Sequence, residues 1–392
     1  MVSITTRLKI ASRSLDPAWR TALLDWAAVR LGLGVWAAWI WYQQLMPVTT
    51  GYFYYTVVPL LNGWGGALLG MWQRWDSIHY QAIAETHYSA DHLSVFFPAF
   101  PLLARFLSQV SGLPGLAAML VLSSLATLFS LVLLYRIAND LFGEPVARRS
   151  LLCAVLFPTA FFYFGLYPQS LALLWILLAY DQARRGRWLA AGLAGLLAGL
   201  THATAVALAA MLAVQVFQAL RGSRFSLRWV ALPGVPALPL LGIALFLVWR
   251  DAMGFPSFIA IQSQSWERIL STPWGTLIAL VEYFPANIGH NWVIALNTVM
   301  LAAAFASVVW GLRRLPLALS VYQIVFVLYM LSNRVSTDPL LSVNRYVLVL
   351  FPMYFALGSL RFGRAGQRLL FAAGLLGSLA ISAMFFMWKW VG

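Results

Sequence analysis

Charge is what this sequence has least of, and acidic charge is the scarcer sign. Of its 392 residues 10% are charged, with 12 Asp and Glu against 26 Lys and Arg. A soluble domain carries about 25% charged residues, so a water-facing surface is excluded for most of the chain. Cysteine is almost missing. Cys153 stands alone in an apolar run, which rules out an intramolecular disulfide and any cysteine metal cluster. Internal repeats, low-complexity tracts and linkers long enough to separate soluble domains are also absent, so residues 1–392 read as one membrane domain.

What is present is apolar. Hydrophobic residues make up 61% of the chain and the mean hydropathy is +0.79, the composition of an all-α polytopic membrane protein. The net charge of +14 would suit nucleic acid if the bases formed a stripe with interleaved aromatics. They fall instead in small groups between apolar spans, as topology signals and lipid-headgroup contacts do. No nucleic-acid partner is expected, and the abundant Trp and Tyr (18 and 15) read mainly as interfacial belts.

Apolar runs long enough to cross a bilayer lie at 23–46, 114–137, 229–249, 287–312, 343–360 and 369–388, with a shorter one at 315–332. Arg7, Lys9, Arg13 and Arg20 precede the first, which is too long and bulky for a cleaved signal peptide and reads as a retained span. The tracts 150–183 and 188–220 each exceed one crossing and contain a polar break, YPQS at 167–170 and THAT at 201–204. Each should fold as two short helices meeting at the break, giving about eleven crossings.

The arginines then set sidedness. The N-terminal bases, Arg136 with Arg148 and Arg149, the RRGR turn at 184–187, Arg221/Arg224/Arg228, Arg313/Arg314 and Arg361/Arg364/Arg368 all fall on the cytoplasmic side if 96–110 does not cross. Two prolines, Pro98 and Pro101, and its short length favour a re-entrant or surface-lying helix there. On this scheme loop 47–112, both polar breaks, loop 250–286 and the segment 332–346 share the external face. The residues that lipid contact and inner-face arginines leave unexplained converge on that face.

Foremost among them is RWDSIHY, residues 74–80. In a helix lying at the interface, Asp76, His79, Tyr80 and Ile83 share a face, and Arg74 points elsewhere, toward headgroups or a phosphate. Low dielectric favours a neutral carboxyl and a nearby cation draws it back, a balance that suits a general base. The competing reading is an interfacial salt bridge anchoring the helix. Glu85 lies on the continuation of that helix as a site neighbour. His87 and His92 with Glu85 and Asp91 lack the close helical pairing of H-E-x-x-H and read as solvated loop residues; no metal is expected. Gln169 and His202 stand at the two breaks, where either a ligand contact or hydrogen bonding of freed backbone would explain them. Arg345 and Tyr346 open a span from its external end, where an arginine can snorkel or meet an anion.

RWDSIHYQAIAETHY followed by SVFFPAFPLLARFL resembles the PIG-V-like mannosyltransferases, relatives of the enzyme that adds the second mannose to glycosylphosphatidylinositol anchors. The family pattern is carried by Arg74, Trp75, Asp76, His79, Tyr80, Ile83, Ala84, Tyr88, Phe96, Phe97, Pro98 and Pro101. Weaker matches are FFYFGLYPQSL, RGRWLAAGLAGLLAGLTHATAV and SVNRYVLVLFPMYFAL, so the resemblance extends over most of the chain. His87 replaces the usual Gly, Gln169 a common acid and His202 a common Arg, and the last two put donor or acceptor identity in question.

The resemblance implies a GT-C glycosyltransferase fold and transfer of a mannose or similar hexose from polyprenyl-phosphate-mannose to a glycan or glycolipid acceptor, without cofactor or metal. On that implication Asp76 is the base. Arg345, with Arg74 as second choice, meets the donor phosphate, and His79 orients Asp76 or the acceptor. Trp75, Tyr80, Glu85, Gln169, His202 and Tyr346 complete the candidate site. The implied setting is a bacterial cytoplasmic membrane with the site on its external face. A lipid or glycolipid transporter is the rival, and would place ionisable groups at the midplane between related halves.

Overall fold

The computed structural model describes residues 16–43, 61, 63–221 and 232–392. Arg7, Lys9, Arg13, Arg224, Arg228 and the first part of loop 47–112 lie outside the described residues.

The described chain is mostly helical. Asp16 accepts a hydrogen bond from the Ala18 amide at 3.0 Å and Pro17 takes the first position, so α1 (Pro17–Tyr42) starts where its sequence directs. There follow α2 (Gly63–Leu68), α3 (Asp76–Thr86), α4 (Ala99–Ser111), α5 (Gly115–Phe142) and α6 (Glu144–Val155). Then come α7 (Gln169–Arg184), α8 (Trp188–Thr201), α9 (Ala205–Leu220), α10 (Ala237–Ala252) and α11 (Phe258–Trp266). Strand β1 (Arg268–Leu270) precedes α12 (Pro273–Asn287), α13 (Trp292–Arg314) and α14 (Leu317–Leu331). Strand β2 (Asn333–Val335), α15 (Val343–Tyr346), α16 (Pro352–Gly358) and α17 (Arg364–Phe386) complete the order.

Among the described residues α1, α5, α13 and α17 are, by length and composition, the four helices long and apolar enough to cross a membrane, and α8, α9 and α14 are shorter and apolar. These belong to a multi-pass membrane protein. Helix α4 has 13 residues, a rise of about 20 Å against roughly 30 Å of hydrocarbon, and so is too short to cross.

Both long tracts break, but differently. The tract 188–220 divides at THAT, between α8 and α9. In 150–183 the interruption is wider than YPQS, running from Leu156 to Pro168 between α6 and α7. Pro158, Gly165 and Pro168 all disfavour helix there. The freed backbone finds partners: Thr127 Oγ1 donates to the Tyr163 carbonyl at 2.8 Å and Arg30 Nη1 to that of Phe164 at 3.1 Å.

The run 343–360 is a correction. It forms no single span but α15, a 3₁₀ turn and α16, because Pro352 supplies no amide for a continuing ladder. From Val343 to Phe355 every residue but the half-buried Tyr346 is buried, and backbone carbonyls freed by the break are satisfied by side chains. Tyr163 Oη donates to the Leu348 carbonyl, Tyr322 Oη to that of Val349 at 2.6 Å, and Thr159 Oγ1 to that of Asn344 at 2.8 Å.

Two further details position the site. Helices α8 and α10 touch through glycine: a Cβ at Gly199 would stand 2.0 Å from the Pro239 carbonyl oxygen and one at Gly242 2.3 Å from that of Leu196. No larger residue fits this contact. A two-stranded antiparallel sheet is the exception to the helical reading, pairing Arg268 with Val335, Ile269 with Arg334 and Leu270 with Asn333. It ties loop 250–286 to segment 332–346.

Candidate active site

Asp76 is aimed by the residues before it. Trp75 adopts φ 54° and ψ −129°, an unusual conformation for a bulky residue, and α3 begins at the next position. The Trp75 ring meets those of Trp388 and Trp390 edge-on at 5.8 and 4.9 Å. Arg74 is 1% exposed. Its Nε donates to the Phe386 carbonyl at 3.0 Å, and Nη1 to those of Gly70 and Gln73, both at 2.9 Å. It also lies over the Trp388 ring at 4.6 Å.

Arg74 thus does not point toward headgroups, as the helix reading expected. Its planar fork is turned to these backbone carbonyls, with Nη2 3.3 Å from Met71 Sδ. The helix it introduces also departs from the interfacial reading, since Ser77 to Ala84 are all buried. Among these neighbours the Asp76 side chain keeps 16% of its surface exposed.

The partner of Asp76 comes from the other end of the chain. Ser342 is in the left-handed region at φ 71°, and the single turn α15 that follows carries Arg345. Arg345 Nη1 donates to Asp76 Oδ2 at 2.7 Å across 269 residues of sequence. The guanidinium carbon lies 5.4 Å from the Tyr167 ring centroid, 5.7 Å from that of Tyr346 and 6.0 Å from that of Phe162. This aromatic wall favours the cation. Arg345 Nε is buried and takes no acceptor among the described residues. The arginine therefore keeps donor capacity beyond its carboxylate.

Asp76 and Arg345 line a cavity of about 170 Å³ together with Tyr80, Gln169, His202 and Tyr346. Gln169 opens α7 and its Oε1 is buried with no partner among the described residues. His202 Nδ1 accepts the Thr204 backbone amide at 3.2 Å, which leaves the ring proton on Nε2. Its ring stands 5.5 Å from that of Tyr346. Phe96, Phe258 and Trp266 supply an apolar side. The RRGR turn lies at the opposite ends of α7 and α8 from Gln169 and His202. The 16 residues of α7 put it about 24 Å away.

The remaining candidates are not on the cavity wall. His79 stacks on Phe96 at 4.9 Å, and burial pushes its imidazole down to about 4, so it is neutral at ordinary pH. Glu85 is exposed at the far end of α3 and accepts from Gln81 Nε2 at 2.8 Å. Trp75 and Arg74 support Asp76 from behind.

No family model matches the sequence. GPI alpha-1,6-mannosyltransferase 2 of Rattus norvegicus is 32% identical over 139 residues, covering 32% of this chain and 28% of that protein. The protein of the same name from Cricetulus griseus is 34% identical over 140 residues, with the same coverage of 32% and 28%. The resemblance carried by the motifs is borne out by these relatives. The chain aligns with less than a third of the length of the curated relatives it matches.

Among solved structures, an Archaeoglobus fulgidus oligosaccharyltransferase in complex with Zn and sulfate has a TM-score of 0.42 at 13% identity, covering 92% of this chain and 53% of the other. Oligosaccharyltransferase AglB of the same organism, in complex with an inhibitory peptide and a dolichol-phosphate, has a TM-score of 0.41 at 14% identity, covering 92% and 56%. These likenesses are too weak for any conclusion to rest on them.

One charged cavity residue escaped the sequence reading, Arg268 of β1, along with polar and aromatic lining residues such as Gln262 and Tyr329. For Arg268 the signal was available, since it is a base in loop 250–286, away from every inner-face cluster. Only the pairing of β1 with β2 shows that it reaches the same space as Arg345.

Proposed function

We propose that this chain is an inverting GT-C glycosyltransferase that moves a mannose or similar hexose from a polyprenyl-phosphate-linked donor to an acceptor hydroxyl at the non-cytoplasmic membrane face. The observation that carries this reading is the 2.7 Å contact of Asp76 with Arg345 on the cavity wall. It joins two of the segments on which the resemblance rests. The identity to curated mannosyltransferases over 139 residues supports the choice of reaction.

The chemistry follows from the two groups. The acceptor oxygen forms a bond to the anomeric carbon as the bond from that carbon to the phosphate oxygen breaks. The leaving electron pair stays on the phosphate. Asp76 receives the hydroxyl proton, and with Oδ2 held by Arg345 its Oδ1 is the atom presented to the acceptor. Arg345 stabilises the charge that grows on the phosphate, and its bidentate fork suits that oxygen geometry. Gln169 and His202 face the same space and are placed to bind sugar hydroxyls.

The test is direct. Purified chain supplied with labelled polyprenyl-phosphate-mannose and a glycolipid acceptor should release polyprenyl phosphate and label the acceptor. Movement of intact donor across the bilayer without cleavage would instead identify a transporter and end the proposal. Sidedness has its own check. In a Cys153→Ala background, Asp91→Cys should react with an impermeant thiol reagent from outside, and labelling only from the cytoplasmic side would overturn the placement.

A further inference from the structure

The cavity holds more positive charge than its one carboxylate balances. Asp76 is paired with Arg345, but Arg268 also lines the space and forms no ion pair among the described residues. The two arginines are arranged around the same groups. Each guanidinium carbon is 5.7 Å from the Tyr346 ring centroid, and each Nη2 is 3.5 Å from Ser342 Oγ. The shared hydroxyl keeps the two Nη2 atoms no more than about 7 Å apart, a span that one phosphate bridges with a charge-assisted hydrogen bond on each side. His202 adds a neutral N–H at Nε2 beside the same tyrosine ring.

The backbone is shaped for this placement. Among the described residues, non-glycine residues with positive φ are Trp75, His87, Glu267, Ser342 and Trp388. Trp75 immediately precedes Asp76, Glu267 immediately precedes Arg268, and Ser342 opens the turn that carries Arg345. Glu267 at φ 53° reverses the chain from α11 into β1, and its carboxylate is occupied by the hydroxyls of Ser336 and Thr337 at 3.2 and 3.0 Å. The acid next to Arg268 in sequence is thereby turned to other partners. Strained backbone of this kind is retained where the surroundings over-determine it, and it clusters at functional sites.

We infer that Arg268 and Arg345 form a two-arginine clamp for the phosphate of the membrane-embedded donor, with Arg268 a substrate-binding residue. This rests on the donor reading above and divides the labour within it. Arg345 serves the carboxylate and the phosphate together, whereas Arg268 supplies charge that pairs with no acid among the described residues. The clamp holds the phosphate before transfer and retains the anion after the glycosidic bond forms.

The experiment uses the full chain in phosphatidylcholine nanodiscs. Polyprenyl monophosphate is titrated into wild type, Arg268→Gln, Arg268→Lys and, as a control for charge at the far end, the exposed Arg361→Gln. Inorganic phosphate and phosphatidylglycerol serve as competitors. Loss of the Arg268 fork should weaken polyprenyl phosphate binding roughly tenfold to a hundredfold in Arg268→Gln, as expected for charged hydrogen bonds, and severalfold in Arg268→Lys. Arg361→Gln should bind as wild type does. Inorganic phosphate should compete only at far higher concentration, and phosphatidylglycerol not at all.

Equal affinity in wild type and folded Arg268→Gln removes the clamp and leaves the donor reading standing. If the Gln variant does not fold, Arg268→Lys decides, and wild-type affinity there also removes the clamp. Phosphatidylglycerol competing as strongly as polyprenyl phosphate, with the same dependence on Arg268, makes the site a general headgroup contact and overturns the inference. Wild type that binds no polyprenyl phosphate removes both the clamp and the donor reading.

Discussion

Arg74 and Arg345 look alike in the sequence, each followed directly by an aromatic residue, Trp75 and Tyr346, and both are buried. Their surroundings differ in kind. Arg74 gives Nε and Nη1 to the backbone carbonyls of Phe386, Gly70 and Gln73, so these contacts hold backbone and do not face the cavity. Arg345 meets a carboxylate at 2.7 Å on a cavity wall and has a buried Nε with no acceptor among the described residues. Burial alone therefore does not mark a functional arginine. The nature of its acceptors, and whether donor capacity remains, separates an anchor from a ligand-binding group.

The strongest test acts on the acid that Arg345 serves. Asp76→Asn keeps the size and an acceptor for Arg345 while removing the base, so turnover should fall by roughly a hundredfold or more in protein that still elutes as a monodisperse species. Full activity in that variant would take Asp76 out of the chemistry. Next, Arg345→Lys keeps charge but loses the fork. Donor affinity should weaken by about 1.5–3 kcal/mol, and Arg345→Ala should lose more, with both still reaching the membrane. Unchanged affinity in both would make Arg345 an anchor like Arg74.

Arg74→Lys should show the reverse pattern. A buried carbonyl left unsatisfied costs about 1–3 kcal/mol, so melting temperature and folded yield should drop, while the folded fraction keeps the wild-type donor KM. A raised KM with unchanged stability would make Arg74 a donor contact and no anchor. The smallest effect concerns His79, which packs behind the site. Its imidazole is held down at about 4 by burial, below its unfolded value of 6.5. The unfolded chain thus binds the proton first as pH falls, and stability present above about pH 6.5 is lost progressively between about 6.5 and 4. Melting temperatures at pH 7 and 5 should diverge less in His79→Gln than in wild type. Identical pH slopes would show that His79 does not carry this linkage.

Comparing residue by residue shows where a pattern speaks and where it stops. The break at THAT was legible because polar residues interrupt an otherwise continuous apolar tract, and Asp76 because an acid is conspicuous where so few occur. The direction of Arg74 was not legible. Helical spacing describes side chains within a helix, and Arg74 precedes α3 in a loop whose carbonyls recruit it. The run 343–360 read as a span because its composition is apolar. It breaks at Pro352, and the break is sustained inside the protein because hydroxyls of Thr159, Tyr163 and Tyr322, distant in sequence, satisfy the carbonyls it frees.

The sequence by itself determined a chain that cannot live in water, the places where its long apolar tracts divide, and the acid on which the proposed chemistry turns. These are one-dimensional properties, set by composition and by local backbone preference. Only the tertiary structure decided that Asp76 meets Arg345 across 269 residues, that Arg268 reaches the same cavity through a three-residue strand, and that His79 and Glu85 lie off its wall. Long-range pairing leaves no periodic signature in a sequence. It arises when packed helices and the left-handed turns between them fix which distant side chains share one small volume.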